Sequence, residues 1–324
     1  MSTGDLAWRA FAIPLRTRFR GITVREGLVA AGPAGWAEWS PFWDYDAAES
    51  AIWFGAALEA ASRPWPEPVR TRVPVNCTVP AVGPQQASAV VAASGCSTAK
   101  VKVAEPGQSL TEDLSRVAAV REALGPAGRV RVDANGGWDL KTAVDSVRAL
   151  DRAAGGLEYV EQPCAGVDDL ARVRRRVDVP VAADESIRRA DDPYHVRERE
   201  AADIAVLKVQ PLGGVRACLE IAERIGLPVV VSSALETSVG LAAGVALAAA
   251  LPELPYACGL ATAALLDRDL VTEGFVPVGG VLVVRRPDAS PELVAAVASA
   301  DAQHRWDRRL AAVQAVRRPG SRAR

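Results

Sequence analysis

RVRVDAN, residues 129–135, reads as a β-strand with an ending that a buried strand should avoid. Val130 and Val132 are β-branched and suit a pleated, buried surface, yet the run delivers Asp133 and Asn135 at its end. The pattern recurs. YVEQP (159–163) closes its apolar run at Glu161, and VPVAADES (179–186) closes at Asp184. AKVKV (99–103) carries Lys100 and Lys102, and DIAVLKVQP (203–211) carries Lys208. The fold must be one in which several strands aim their ends at one place.

Short Val/Ile/Leu runs predict strands near 73–78, 98–103, 129–133, 157–161, 179–183, 203–209, 228–232 and 256–260. Segments with helical spacing lie between most of them. LTEDLSRVAAVREALG (110–125) opens at Thr111 with acidic residues and stops at Gly125. DLKTAVDSVRALDRAAGG (139–156) and GGVRACLEIAERIG (213–226) follow the same plan. Strands that are apolar throughout are buried on both faces, as in a parallel sheet covered by crossover helices. Eight such units over about 190 residues predict a (β/α)8 TIM barrel. A doubly wound sheet is the runner-up, but the chain has neither G-x-G-x-x-G nor G-x-x-x-x-G-K-[ST]. Residues 1–70 have a different texture, short alternating strands and one helical piece, and predict an α+β capping domain ahead of a barrel over 71–265. In 266–324, VTEGFVPVGGVLVV reads as strand segments returning to that first domain, followed by a helix.

Of the 324 residues, 49% are apolar and 24% charged, an ordinary globular balance, and the net charge of −1 favours neither nucleic acid nor an anionic membrane. The apolar stretches are too short or too interrupted to span a bilayer. Cys77, Cys96, Cys164, Cys218 and Cys258 are odd in number and form no C-x-x-C pair. With no signal peptide in view, they read as reduced thiols of a soluble cytoplasmic protein. The basic end, RWDRRLAAVQAVRRPGSRAR (305–324), reads as a solvated helix with a frayed tail. Oligomeric state is not legible.

In such a barrel the active site lies at the carboxyl ends of the strands. Asp133, Glu161 and Asp184 end three consecutive strands, and three converging carboxylates call for a cation. Mg²⁺, with Mn²⁺ as a substitute, fits an all-oxygen set, although arginines such as Arg131 could pair with these acids instead. Lys102 and Lys208 flank the acids from either side, and Lys100 shares the face of Lys102. A lysine beside a cation and a second lysine has its pKa lowered and can act as a base. Proton removal α to a small-molecule carboxylate, with the enediolate stabilised by the metal, is the reaction class this set suggests.

K-x-K, then Asp, Glu and Asp at the ends of the next three strands, then Lys, resembles the enolase superfamily and, within it, the subgroup related to muconate-lactonising enzymes. The resemblance implies Asp133, Glu161 and Asp184 as Mg²⁺ ligands, Lys102 and Lys208 as acid/base lysines, and Lys100 and Asn135 as supports behind them. The branch with a His–Asp dyad is excluded, because His195 and His304 end no predicted strand. PLRTRFRGITVREGLV, GWAEWSPF, SSALETSVGLAAG and CGLATAALLDRDL together resemble the o-succinylbenzoate synthases of menaquinone biosynthesis, in their actinobacterial form. On that resemblance the reaction is a dehydration of a cyclohexadiene carboxylate, and the two lysines could exchange the roles of base and electrostatic partner.

Ser232 and Ser233, with backbone N–H groups near Gly259 and Leu260, are candidates for holding the substrate's second carboxylate, or else caps of a helix starting near Glu236. Arg20, in the RTRFRG loop, would close over the site, or else belong to an ordinary hairpin turn. An N-succinylamino acid racemase, a muconate cycloisomerase-like enzyme and a dipeptide epimerase share the lysine pair. The Asp-x-Asp typical of epimerases is missing from the eighth strand. A Schiff-base aldolase or a non-catalytic barrel would leave the three carboxylates unexplained.

Overall fold

The computed structural model describes residues 6–190 and 192–317, so the extreme basic end, 318–324, lies outside the described residues. β1 (Arg9–Phe19) and β2 (Ile22–Gly32) form a long antiparallel hairpin, with β3 (Gly35–Trp39) on the far edge of β2. The hairpin turns at Arg20 and Gly21, with φ of 51° and 77°, the mirror-image backbone that two-residue turns between twisted strands require. α1 (Ala47–Ser62) packs against β3. Its first turn is capped reciprocally: Asp46 accepts from the Glu49 amide, and Glu49 accepts from the Asp46 amide.

β4 (Arg72–Pro74) precedes the parallel sheet, which begins with β5 (Cys77–Val79) and α2 (Pro84–Ser94). β6 (Thr98–Lys102), α3 (Leu110–Leu124), β7 (Arg129–Asp133), α4 (Leu140–Ala154), β8 (Leu157–Glu161) and α5 (Val167–Arg174) follow in alternation. β9 (Val181–Ala183) leads into two short helices, α6 (Glu185–Arg188) and α7 (His195–Glu198). β10 (Ile204–Lys208), α8 (Val215–Ile225), β11 (Val229–Ser232) and α9 (Ser238–Ala250) complete the series. Strands β5 to β11 lie side by side in sequence order and all run parallel.

The expected eighth strand shrinks to two isolated parallel bridges, Cys258 to Val75 and Gly259 to Ser232. Asn76 donates to the Cys258 carbonyl at 3.0 Å and Gly259 donates to Val231 at 2.9 Å, so the first and last strands are joined through this segment and the sheet closes. Pro252 and Pro255 stand just before it and cannot donate to a ladder, which keeps the pairing short. A single 3₁₀ turn, Thr262–Leu265, replaces the eighth helix.

Period-2 alternation divides each strand between two surroundings. Val130 and Val132 join the large apolar cluster between sheet and helices. Tyr159, Ala182, Ile204, Val206 and Val230 form a separate cluster with Tyr256, and Arg131 lies 4.7 Å over the Tyr159 ring. This filling makes the barrel a packed core rather than a pore.

β12 (Val281–Val283) pairs antiparallel with β4, not with the three-stranded sheet to which that segment was expected to return. Val75 donates to the Gly280 carbonyl at 2.8 Å, which holds the start of β12 beside β4. After α10 (Pro291–Ala296), α11 (Ala300–Arg317) packs against α1 and β1. Trp306 of α11 is fully buried and meets Trp39 edge-on at 5.4 Å.

Candidate active site at the barrel mouth

Register sets the site. Lys102 pairs with Asp133 and Asp133 with Glu161 across β6, β7 and β8, so the three chain ends stand abreast. Asp184 follows β9 directly and Lys208 ends β10 opposite Ser232 of β11. Three non-glycine residues just beyond these strands, Ala104, Asn135 and Gln162, adopt φ of 59°, 46° and 42°. Left-handed backbone of this kind costs about 1 kcal/mol or more per residue and clusters where function fixes the chain. Gln162 shows how it is held. Its side-chain Oε1 accepts from the Asp184 and Ser186 amides at 2.9 and 3.2 Å, and its Nε2 donates to Ser186 Oγ at 2.7 Å, locking the end of β8 to that of β9.

Asp133, Glu161 and Asp184 are all buried, and each is met by cations. Lys100 Nζ donates to both Glu161 oxygens at 2.8 and 2.9 Å and lies 3.2 Å from Asp133 Oδ2. Lys102 Nζ reaches Asp133 Oδ2 at 2.5 Å and Asn135 Oδ1 at 2.6 Å. Lys208 Nζ reaches Asp184 Oδ2 at 2.6 Å, and Arg188 Nε reaches Asp184 Oδ1 at 2.8 Å. Among the described residues, no three acidic, histidine or cysteine side chains converge as a ready-made metal cage, since ammonium groups stand between the carboxylates. Lysines and an arginine thus pair with each of these acids. Arg131 is not among these partners, for it pairs with Glu158 and Asn76 deeper in the barrel.

The lysines are electrostatically unlike one another. Burial acts to lower Lys100, but the Glu161 and Asp133 carboxylates outweigh it and hold this ammonium above its ordinary range. At Lys102 burial wins over Asp133, helped by the Lys100 charge, and the pKa falls below that of an ordinary lysine. Against its own burial, Asp133 is held far below the carboxylate range by Lys102 and Lys100; Arg188 and Lys208 do the same for Asp184. Glu161 is pushed up to about 7 by burial and by Asp133 and Asp184, which the Lys100 contact only partly offsets.

Lys100, Lys102, Lys208 and Asn135 line one pocket of about 40 Å³ together with Ser232, Ser233, Gly259 and Arg20, so the structure brings every sequence-derived candidate to one place, with the three acids directly beneath. Phe19 and Arg20 come from the hairpin tip. Lys102 Nζ sits 5.4 Å from the Phe19 ring centre, and the Arg20 guanidinium lies 4.3 Å over Phe42. On the outer side, Phe19, Arg20, Lys102 and Asn135 also face a cleft of about 610 Å³. Ser232 and Ser233 do not cap the following helix; Thr237 does, accepting from Val239 N, and Ser233 Oγ bonds Thr262 Oγ1 at 2.7 Å. The Gly259 amide is not available to a ligand, because it donates to Val231 in closing the barrel. A Cβ at Gly259 would lie 2.5 Å from Ser232 Oγ, so no side chain fits there unless Ser232 moves.

Sequence reasoning missed Arg188, which is buried, lines the pocket and bonds Asp184, Glu185 (2.6 Å) and the Tyr45 hydroxyl. Its signal was the i,i+4 spacing from Asp184, obscured because α6 is a single turn with no periodic pattern. Glu185 also accepts from Asn135 Nδ2 at 3.1 Å, extending the chain of contacts from Lys102 to Arg188.

Residues 84–290 match the enolase C-terminal domain-like family, and residues 10–61 match the enolase N-terminal domain-like family. An o-succinylbenzoate synthase from Thermobifida fusca is 66% identical over 308 residues, covering 95% of this chain and 96% of that protein. One from Mycolicibacterium smegmatis is 55% identical over 296 residues, 91% of each. The chain belongs to the o-succinylbenzoate synthase family of the enolase superfamily. The fold of this synthase family member is shared more widely. The muconate lactonizing enzyme of Pseudomonas fluorescens, solved with muconolactone, superposes with a TM-score of 0.77 over 91% of this chain and 98% of that one, at 19% identity.

Proposed function

We propose that the protein is an o-succinylbenzoate synthase that dehydrates 2-succinyl-6-hydroxy-2,4-cyclohexadiene-1-carboxylate to 2-succinylbenzoate in menaquinone biosynthesis. The observation that carries this reading is the full-length identity to proteins of that name. The residues at the barrel mouth supply a chemistry consistent with it. Lys102, whose pKa burial lowers, removes the proton α to the carboxylate when its amine is in the neutral form. The ring electrons shift, the C–O bond of the 6-hydroxyl breaks, and the protonated Lys102 returns its proton to the departing oxygen on the same face. One C–H and one C–O bond are lost, water leaves, and the ring becomes aromatic. Lys208, fixed by Asp184 at 2.6 Å, faces the ring from the other side and stabilises its negative charge through its own charge and a cation–π contact.

Asp133, Glu161 and Asp184 suit a hard divalent cation: they are oxygen donors on neighbouring strand ends, and Glu161, pushed up to about 7 by burial and by the other two, gains from added positive charge. Mg²⁺, or Mn²⁺ in its place, would supply charge stabilisation for the substrate carboxylate as the proton leaves. Lys100 and Asn135 hold Glu161 and Lys102 in place, while Ser232, Ser233 and Arg20 contact the succinyl arm. A capping domain at 1–70, a barrel at 71–265 and a returning segment at 266–324 are the division we infer. A cytoplasmic location fits the five free cysteines.

A second reading, N-succinylamino acid racemase activity in the same site, is favoured by one observation: both Lys102 and Lys208 line the pocket, and racemisation needs a base on each face. Loss of diene absorbance with Mg²⁺, and its arrest by EDTA, tests the first reading. Activity on N-succinyl amino acids without diene dehydration would replace it with the second.

A further inference from the structure

The hairpin that carries Phe19 and Arg20 at its tip also carries Arg25, buried to 2% exposure, on β2. Its guanidinium grips the pocket wall. Nε donates to the Leu235 carbonyl at 2.9 Å and Nη2 to the Ala234 carbonyl at 3.2 Å. Ala234 and Leu235 both line the pocket. The same Nη2 donates to Ser40 Oγ at 2.8 Å, and Ser40 in turn donates to Glu38 Oε1 at 2.6 Å. Glu38 anchors the far end of this loop, accepting from Thr237 Oγ1 at 2.5 Å and from the Thr237 and Gly240 amides at 3.1 Å. Leu235 lies between these two anchors with φ of 64°, a left-handed backbone that persists only when its surroundings hold it.

We propose that Arg25, braced through Ser40 by Glu38, is a positioning residue that sets the wall of the substrate pocket at Ala234 and Leu235. The proposal rests on the dehydration reading and adds to it that the wall contacts the non-reacting arm of the substrate. One hairpin then contributes two lining residues directly and fixes two others by their carbonyls. A wall that binds substrate and transition state alike affects KM rather than kcat.

The test is steady-state kinetics on the cyclohexadiene carboxylate for wild type, Arg25→Met, Arg25→Lys and Ser40→Ala, with thermal melts alongside. Arg25→Met is expected to raise KM about ten-fold with kcat within about three-fold, because the Ala234 and Leu235 carbonyls of the pocket wall lose their donor. Arg25→Lys should fall between it and wild type, since it keeps the charge but brings one head group to two carbonyls. Unchanged KM in a folded Arg25→Met protein, or a loss confined to kcat, would overturn the proposal. If that variant does not fold, Arg25→Lys and Ser40→Ala decide: raised KM at retained kcat supports the proposal and unchanged KM in both overturns it. Failure of the wild type to turn over this substrate would count against the dehydration reading itself, and is read separately.

Discussion

Gly259 and Arg188 show how single residues shape this site. Because a Cβ at Gly259 would meet Ser232 Oγ at 2.5 Å, Gly259→Ala must displace the Ser232 hydroxyl from the pocket wall. We expect a loss of about 1–3 kcal/mol in stability, typical of overpacking, together with a higher KM, measurable by melting and by kinetics. Arg188→Met should cost more, about 3–5 kcal/mol, because Asp184 and Glu185 are left with part of their buried charge unpaired. An unchanged melting temperature would show that Lys208 alone suffices for Asp184. At this scale the sequence was informative where a polar residue broke a strongly apolar strand: Asp133, Glu161, Asp184, Lys102 and Lys208 all stand out in that way. Arg188 and Tyr45 gave no such signal, because one lies on a single helical turn and the other in a loop. Their meeting depends on how two distant parts of the chain pack.

Among the elements, the amphipathic helices and β-rich runs were legible because periodicity is local. The cap of α3 was not read correctly. Ser109, rather than Thr111, accepts from the Glu112 amide, and Glu112 returns the bond. The eighth strand was the other misreading, since an apolar run after two prolines has strand composition but cannot sustain a ladder. Caps are also where an element can be perturbed without touching the chemistry. Asp139 accepts from the Thr142 amide at 2.8 Å at the start of α4. Asp139→Ala should therefore lower the melting temperature slightly while leaving kcat and KM unchanged. A marked fall in activity would mean that α4 contributes to the site in a way its position does not suggest.

For the molecule as a whole, the contact between the amino-terminal sheet and the barrel carries buried charge, and so links assembly to pH. Burial pushes Glu38 up to about 7, against the pull of Arg25 and its Ser40 and Thr237 hydrogen bonds, from an ordinary value of 4.5. The folded state therefore holds this proton more tightly than the unfolded chain does. The resulting stabilisation is complete below about pH 4.5 and is lost as pH rises towards about 7, by up to about 3 kcal/mol. Glu38→Gln should remove that slope, so the difference in melting temperature between wild type and variant should change across this window and level off above it. A constant difference from pH 4.5 to 7.5 would show that Glu38 stays ionised in the fold. None of this interface was foreseen from sequence, because Arg25, Glu38 and Gly240 come together only through long-range packing.

The central claim is that Lys102 is the group that moves the proton, and the most direct measurement is the single-turnover rate of dehydration in Lys102→Ala at saturating Mg²⁺ and substrate. Loss of a general base and acid in one residue should slow the step by about 10³-fold or more with substrate binding largely retained. A Lys102→Ala protein that dehydrates the substrate within about ten-fold of the wild-type rate would contradict the account and move the proton transfer to another residue.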